Sequence, residues 1–547
     1  MKLPPRFDVT PEQANALLGR IKAHELAEGD VELLTSMVET LRYLYEAIED
    51  KKTSIQRLRR ILFGDTTEKT KNVLKQLLTT AAGDAEAGPH APGEGAAPTA
   101  EGPPGKRKGH GRNGVAAYPK AERTAIPHAT LKPGDSCPSC KKGKVFELST
   151  PGVLVRFVGR APIMAKIAEL QKLRCSSCQE VFTADPPPGT GTEKYDATCV
   201  SMVACLKYGL GLPFQRIEAL QAGMGVPLPA STQWDLVSPG ADSVYPAYEA
   251  LVQEAAQGQV VHHDDSPMEV LSLRSKEEDP HELDAAEDKK RTGIFTTGIV
   301  SKVEDRQIAL FFTGHKHAGE NLEALLKRRT QELGPPIAMC DALSRNAPRE
   351  FQVILANCLA HGRRKFVEIA GSFPQECIFV LETLRDVYRH DATAKEQGLS
   401  AEERLAFHQL HSAPLMEKLR VWFDAQFDAL RVEPNSRLGK AINYMIKHWE
   451  PLTLFLHRAG APVDNNTAER ILKKAILHRK NSYYYRTENG ARVGDIFMSL
   501  IQTCALCEAN PFEYLTALLR HVPEVAMKPR DWLPWNYEDT LRALNTS

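Results

Sequence analysis

The sequence predicts a multidomain protein of α/β plus α class. Three observations carry that prediction. At 547 residues the chain exceeds what a single hydrophobic core serves. Between 260 and 358, short β-branched and apolar runs surround one helical pattern, as in a sheet with helices on its faces. From 361 to 459 the pattern is helical with no strand signal, so an all-α insertion interrupts the α/β unit before its last helix.

The elements follow in order. Leu34, Met37, Leu41, Leu44, Ile48, Ile55, Leu58 and Leu62 fall on alternating three- and four-residue steps, broken once at Lys51. That is a coiled-coil seam, and it assigns 1–78 to helical self-association. Residues 79–125 form a flexible linker: large apolar residues are scarce, and it carries the segment GKRKGHGRNG. There Lys106, Arg107, Lys108 and Arg112 stand among glycines, which lets a basic strand follow a phosphate backbone closely.

Cys137 and Cys140, with Cys175 and Cys178, form two CxxC pairs within 126–186. Four thiolates so paired suit a tetrahedral Zn²⁺ of the ribbon type, structural because no position is left for water. Residues 187–245 read as helical. The stretch PFQRIEALQAGMGVPLPASTQWDLV predicts a helix, a turn at Gly223 and Gly225, and a second helix capped near Ser231, the outline of a helix-turn-helix DNA-binding domain.

Strands are expected over 260–273, 293–300 and 306–313, the last two as a hairpin. A helix over 318–333, a buried strand over 336–341 and a further strand over 351–358 complete the sheet. The segment VDNNTAERILKKAILHRKN from Val463 starts the closing helix, because Asp464, Asn465, Asn466 and Thr467 are all N-cap types. Glu469 then lies in its first turn, where a negative side chain complements the dipole.

Composition narrows the function. With 42% hydrophobic and 25% charged residues, and no apolar run long enough to span a membrane, a soluble protein is expected. The amino terminus lacks the apolar core of a secretory signal, so the 11 cysteines are expected as thiols or metal ligands in the cytoplasm. A formal net charge of zero excludes a wholly basic nucleic-acid coat; contact with DNA has to come from local patches.

Asp264 or Asp265 on the first strand, Asp341 at the end of a parallel strand and Glu469 on the closing helix are candidates to converge. Three carboxylates would hold two Mg²⁺ ions, or Mn²⁺, for an in-line phosphoryl displacement. His262 and His263 are read as packing beside the site, and Cys504 and Cys507 as core. Cys358 and His361 precede Arg363, Arg364 and Lys365, a basic DNA contact beside a buried thiol.

These residues together resemble the DDE transposases of the insertion sequence 66 type. The resemblance is carried by RRILFG followed by TTEK, GHGR, the paired CxxC module, PFQRIEAL, Asp264-Asp265-Ser266, CLAHGRRKF, DNNTAERILKKAILHRKN and NPFEYL. It implies an RNase H-like catalytic core over 246–360 and 460–500, an all-helical insertion over 361–459 and a C-terminal helical region over 501–547. It implies an enzyme that cuts double-stranded DNA at the inverted-repeat ends of a mobile element and joins the freed 3′ hydroxyl to target DNA. It carries the first acid to Asp264, since the family's Asp-Glu-Thr stands here as Asp264-Asp265-Ser266, and the others to Asp341 and Glu469.

The usual Gly and Tyr after the second acid are Ala342 and Leu343, and GIFTTGIV lacks the family's Leu-Trp, the marks of a divergent subgroup. On the same reading Arg363, Arg364, Lys365, Lys473, Lys474 and Arg479 lie along DNA phosphates. The resemblance also implies a homo-oligomer in the bacterial cytoplasm, on the nucleoid, working with accessory proteins of the same element. Two other readings stay open from sequence: a transposase-derived DNA-binding protein without catalysis, and a metal-dependent nuclease without strand transfer.

Overall fold

The computed structural model describes residues 193–274 and 293–546 without a break, with parts of 17–35 and of 129–186. The coiled-coil seam beyond 35, the basic segment with Lys106, Arg107, Lys108 and Arg112, and the cysteines Cys137, Cys140, Cys175 and Cys178 lie outside the described residues. Two small antiparallel pairings flank those cysteines in sequence: a bridge between Ser136 and Lys144, and the strands Lys172–Arg174 and Val181–Thr183.

A five-stranded mixed sheet organises the rest. Its strands are β1 (Val260–Pro267), β2 (Phe295–Val303), β3 (Arg306–Gly314), β4 (Ile337–Cys340) and β5 (Ile354–Asn357). They lie in the order β3-β2-β1-β4-β5; β2 is antiparallel to both β1 and β3, whereas β4 and β5 run parallel to β1. The expected hairpin is β2–β3. Successive residues point to opposite faces, and the cores follow: Val261 and Ala338 join one apolar cluster, Val260, Ile337 and Met339 the other.

The first cluster is built with α1 (Ala197–Ala204), α2 (Phe214–Gly223), α3 (Ala230–Ala255) and α4 (Ala318–Leu326). The insertion supplies α5 (Leu359–Ile369), α6 (Pro374–Glu396), α7 (Ala401–His411), α8 (Ala413–Asp428) and α9 (Arg437–Lys447); all but α7, which packs beside α6 and α8, close their apolar sides over Val260, Met339 and Ala356 to build the second cluster. The chain returns through α10 (Asn466–Ser482), α11 (Glu488–Leu506) and α12 (Pro511–Arg520).

The outer edge of β3 is closed by a row of side chains on α11. Asp495, Ser499 and Thr503 accept from the backbone N–H groups of Thr313 (2.7 Å), Phe311 (3.0 Å) and Ala309 (3.1 Å). The match is geometric: four helical residues rise about 6 Å and two strand residues about 6.6 Å, so i,i+4 acceptors meet alternate donors. An unpaired edge that would recruit another strand is thereby covered. Asp495 is wholly buried, and burial pushes its carboxyl up to about 7 against the two Thr313 bonds.

Four expectations are revised. α3 runs unbroken through 245/246, and its buried side belongs to the sheet's own core, so residues 187–245 are packed into the α/β unit. α11 likewise crosses 500/501. Ser231 is not the cap of α3: helix begins at Ala230, whose N–H donates to the Glu218 carboxylate at 3.2 Å. The helix expected over 318–333 ends at Leu326, after which Arg329 turns back to the carbonyls of Ala256, Gly258 and Gly334. No helix among the described residues is long and apolar enough to cross a membrane.

Candidate active site

Alternation along β1 separates the two neighbouring acids. Asp264 pairs in register with Gly298 on β2, on the sheet face that α10 covers. Asp265 turns to the opposite face, where its side chain is 2% exposed between His317 Nδ1 and Arg345 Nη2, each at 3.2 Å. An acid so paired is a structural anchor. Of the two candidates, Asp264 alone faces the other acids.

Asp341 comes level with Asp264 through the parallel register. Val260 lies opposite Ile337 and His262 opposite Met339, so the residue after β4 arrives beside Asp264. Its carboxylate is held by the N–H of Leu343 (3.3 Å) and by the side-chain amide of Asn346. The Asn346 carbonyl in turn bonds the fully buried His263 at Nε2, 2.7 Å.

Glu469 is delivered by the start of α10, and Asn465 sets that start. Asn465 is 0% exposed; its backbone N–H donates to Cys358 Sγ at 3.2 Å, and its side-chain amide donates to the His263 carbonyl at 3.0 Å. Asn465 Oδ1 also meets His262 Nδ1 at 3.2 Å. One residue therefore ties α10 to both β1 and α5. Asp464 completes the cap by accepting from Asn466 N at 3.1 Å. Close approach of α10 depends on Gly298, where a Cβ would stand 2.9 Å from Leu472 Cγ.

The electrostatics record the convergence. The Asp264 carboxyl is pushed up to about 7, first by burial and then by the charge of Asp341, with smaller contributions from Asp265 and Glu469; the 2.8 Å bond from Asp265 N–H opposes this only in part. Glu469 Oε1 is buried with no hydrogen-bond partner among the described residues, and His361 Nε2 is 3.9 Å away. A buried carboxyl whose proton affinity its acidic neighbours raise, on a site with a carboxylate oxygen left unpartnered, favours a cation.

The family model described as Transposase IS66 family matches residues 193–493, which include all three acids. The chain belongs to the IS66 family of transposases. Among its relatives, the uncharacterized protein y4jD of Sinorhizobium fredii (strain NBRC 101917 / NGR234) is 25% identical over 94% of this chain and 98% of its own. The uncharacterized protein y4hP of the same strain is 24% identical over 88% of each chain.

In this IS66-family transposase the basic residues expected along DNA are not equivalent. Lys473 is exposed and Lys474 half-buried on α10. Arg363, Arg364 and Lys365 are half-buried on α5, and the Lys365 ammonium lies 4.4 Å from the centre of the Tyr444 ring. Arg479 folds back onto the end of β1, donating to Ser266 Oγ (3.3 Å) and to the Pro267 carbonyl. Its first task is to hold α10 against the strand.

Cys358 is fully buried, its thiol pushed up to about 12 chiefly by burial. The ligand atoms of Cys358, His361 and Glu469 lie within 4.8 Å of one another, a mixed set that suits a borderline metal such as Zn²⁺ better than Mg²⁺. Sequence reasoning missed Asn346, Gly298 and Tyr444, and saw Asn465 only as a cap type. The Asn465-Asn466 pair at a helix start was the one available signal.

Proposed function

We propose that this transposase cuts DNA at the ends of its element and joins the freed 3′ hydroxyl to target DNA, with Asp264, Asp341 and Glu469 as the acids of an RNase H-like core. The observation that supports the reading is the parallel register of β1 and β4, which brings Asp341 beside Asp264, together with the influence of Asp341 and Glu469 on the proton affinity of Asp264. The sheet order, three antiparallel strands followed by two parallel ones, supports the fold assignment.

The donor set fits Mg²⁺: Asp264, Asp341 and Glu469 all offer hard oxygens, and the register of β1 with β4 sets the first two side by side. When bound, such ions activate the attacking oxygen and stabilise the leaving one in an in-line displacement. The chain's own groups do the positioning. Leu343 N–H and Asn346 aim Asp341, and Asn465 sets the height of Glu469. Lys473, one helical turn beyond Glu469 and exposed, suits a backbone phosphate, fixing the duplex without reading its sequence.

End recognition falls to the amino-terminal half. The small pairings around Ser136 and Lys144 and around Lys172–Arg174 support a zinc ribbon closed by Cys137, Cys140, Cys175 and Cys178. The segment 1–78 supplies self-association, and accessory proteins of the element complete the assembly. The test is cleavage in Mg²⁺ of a labelled duplex bearing the element's terminal repeat. Asp264→Ala, Asp341→Ala and Glu469→Ala each should lose cleavage and keep end binding; substantial residual cutting by any one removes that acid from the site.

A further inference from the structure

We infer that Tyr483 and Tyr484 form a stacking platform for an unpaired nucleobase of the DNA strand being cut. The inference rests on the DNA-cleaving reading above and adds to it a contact made by side chains outside the acid cluster.

The helix that carries Glu469 in its first turn ends in an unusual way. Tyr483 has φ 66° and ψ −48°, and Tyr484 N–H donates to the Ser482 carbonyl at 2.8 Å. This is a γ-turn with positive φ, rare and strained for a residue bearing a side chain. It persists because both ends are fixed. On one side Arg479 bonds Ser266 and Pro267. On the other, Tyr485 is buried, its ring stacked on His478 at 4.6 Å. Its N–H donates to the Glu269 carbonyl (2.8 Å), and its own carbonyl accepts from Leu271 N–H (2.9 Å).

Between these anchors two rings are held outward, Tyr483 72% and Tyr484 48% exposed. Neither stacks on another ring among the described residues. Nothing in the packing of the described residues calls for two aromatic faces in solvent, or for the strain that displays them. Their position supplies a reason. Arg479 and Tyr485 bind the segment that continues β1, and Pro267 is only three residues beyond Asp264, roughly 10 Å along a strand.

The rings therefore stand past the end of β1, roughly 20 Å along α10 from Glu469, with the exposed cations Lys480 and Arg486 beside them in sequence. Aromatic faces flanked by cations on the helix that carries Glu469 fit a base, a few nucleotides from the acids, that has left the duplex stack. Such stacking tolerates any base, because every base presents a π-face.

The experiment uses the full chain and a duplex carrying the element's own terminal repeat, with 5-iododeoxyuridine placed at successive positions across the cut. Irradiation of the complex with Glu469→Gln should crosslink Tyr483 or Tyr484 to one or two positions a few nucleotides from the scissile step, mapped by mass spectrometry. In wild-type background, replacing both tyrosines by Ala should slow cleavage roughly tenfold or more, from the usual worth of base–aromatic stacking. Replacing both by Phe should keep most of the rate. A mismatch at the crosslinked position should restore part of the loss in the Ala pair, which a merely structural role would not produce.

Crosslinks that map away from this turn, or a Phe pair as slow as the Ala pair, would overturn the platform. The crosslink requires only bound DNA. Cleavage by Glu469→Gln at the wild-type rate would therefore count against the reading of the acids while leaving the platform tested on its own.

Discussion

Asp264→Asn should make the metal-free protein more stable while removing its activity, and the size and pH dependence of that gain follow from the site. The Asp264 carboxyl, ordinarily near 3.8, is pushed up to about 7 by burial and by Asp341. Keeping that carboxyl ionised in the folded state costs about 4 kcal/mol relative to the unfolded chain. The sign is set by the raised pKa. Below the unfolded value both states hold the proton and the acid costs nothing.

Between the two values the folded state keeps a proton that the unfolded chain has lost, so stability falls as pH rises. Above about 7 the full cost is present. Asparagine cannot ionise, and its Oδ1 can still accept the 2.8 Å bond from Asp265 N–H. Urea unfolding without added Mg²⁺, followed by a probe in the sheet domain, should show Asp264→Asn more stable by about 2–4 kcal/mol near pH 8.5 and by much less near pH 5. Added Mg²⁺ should narrow the difference at the higher pH by stabilising the wild type alone. A loss of stability at high pH, or the same gain at both, would refute the account of how the acids interact.

Other perturbations probe the scaffold. Gly298→Val places atoms where Leu472 Cγ already lies and should cost about 1–3 kcal/mol, slowing cleavage more than end binding, as read by melting and cleavage assays. Asn465→Ala removes the links to His262 and the His263 carbonyl; cleavage should fall roughly 10–100-fold, with a higher Mg²⁺ concentration needed for half-maximal rate. Tyr483→Gly relieves the positive φ and should raise thermal stability by about 1 kcal/mol while slowing cleavage. Metal analysis of the purified chain should find zinc, lost when any of Cys137, Cys140, Cys175 or Cys178 becomes Ser.

Much of the α/β core was legible because its signals are local. β-branched runs marked β1 to β3, four consecutive apolar residues marked the doubly buried β4, and the Asp-Asn-Asn-Thr cluster marked the start of α10 within a residue. What escaped depends on partners distant in sequence. Asp495, Ser499 and Thr503 look like polar interruptions of an apolar helix until the free edge of β3 is beside them.

The continuity of α3 through 245/246 was hidden because Pro246, inside the helix, reads in sequence as a helix break. The choice between Asp264 and Asp265 needed the strand's facing, which His317, Arg345 and Gly298 reveal only in three dimensions. Arg479 read as a phosphate contact because its partners are oxygens at the end of β1, and a carbonyl that a guanidinium will satisfy has no sequence signature.

The measurement that bears most directly on the central claim is strand transfer by the purified full chain, in Mg²⁺, from a labelled duplex ending in the element's terminal repeat, with Glu469→Gln alongside. Joined product from the wild type and none from Glu469→Gln is the predicted result. Joined product from both, or cutting by the wild type with no joining even when the element's accessory proteins are supplied, would contradict it.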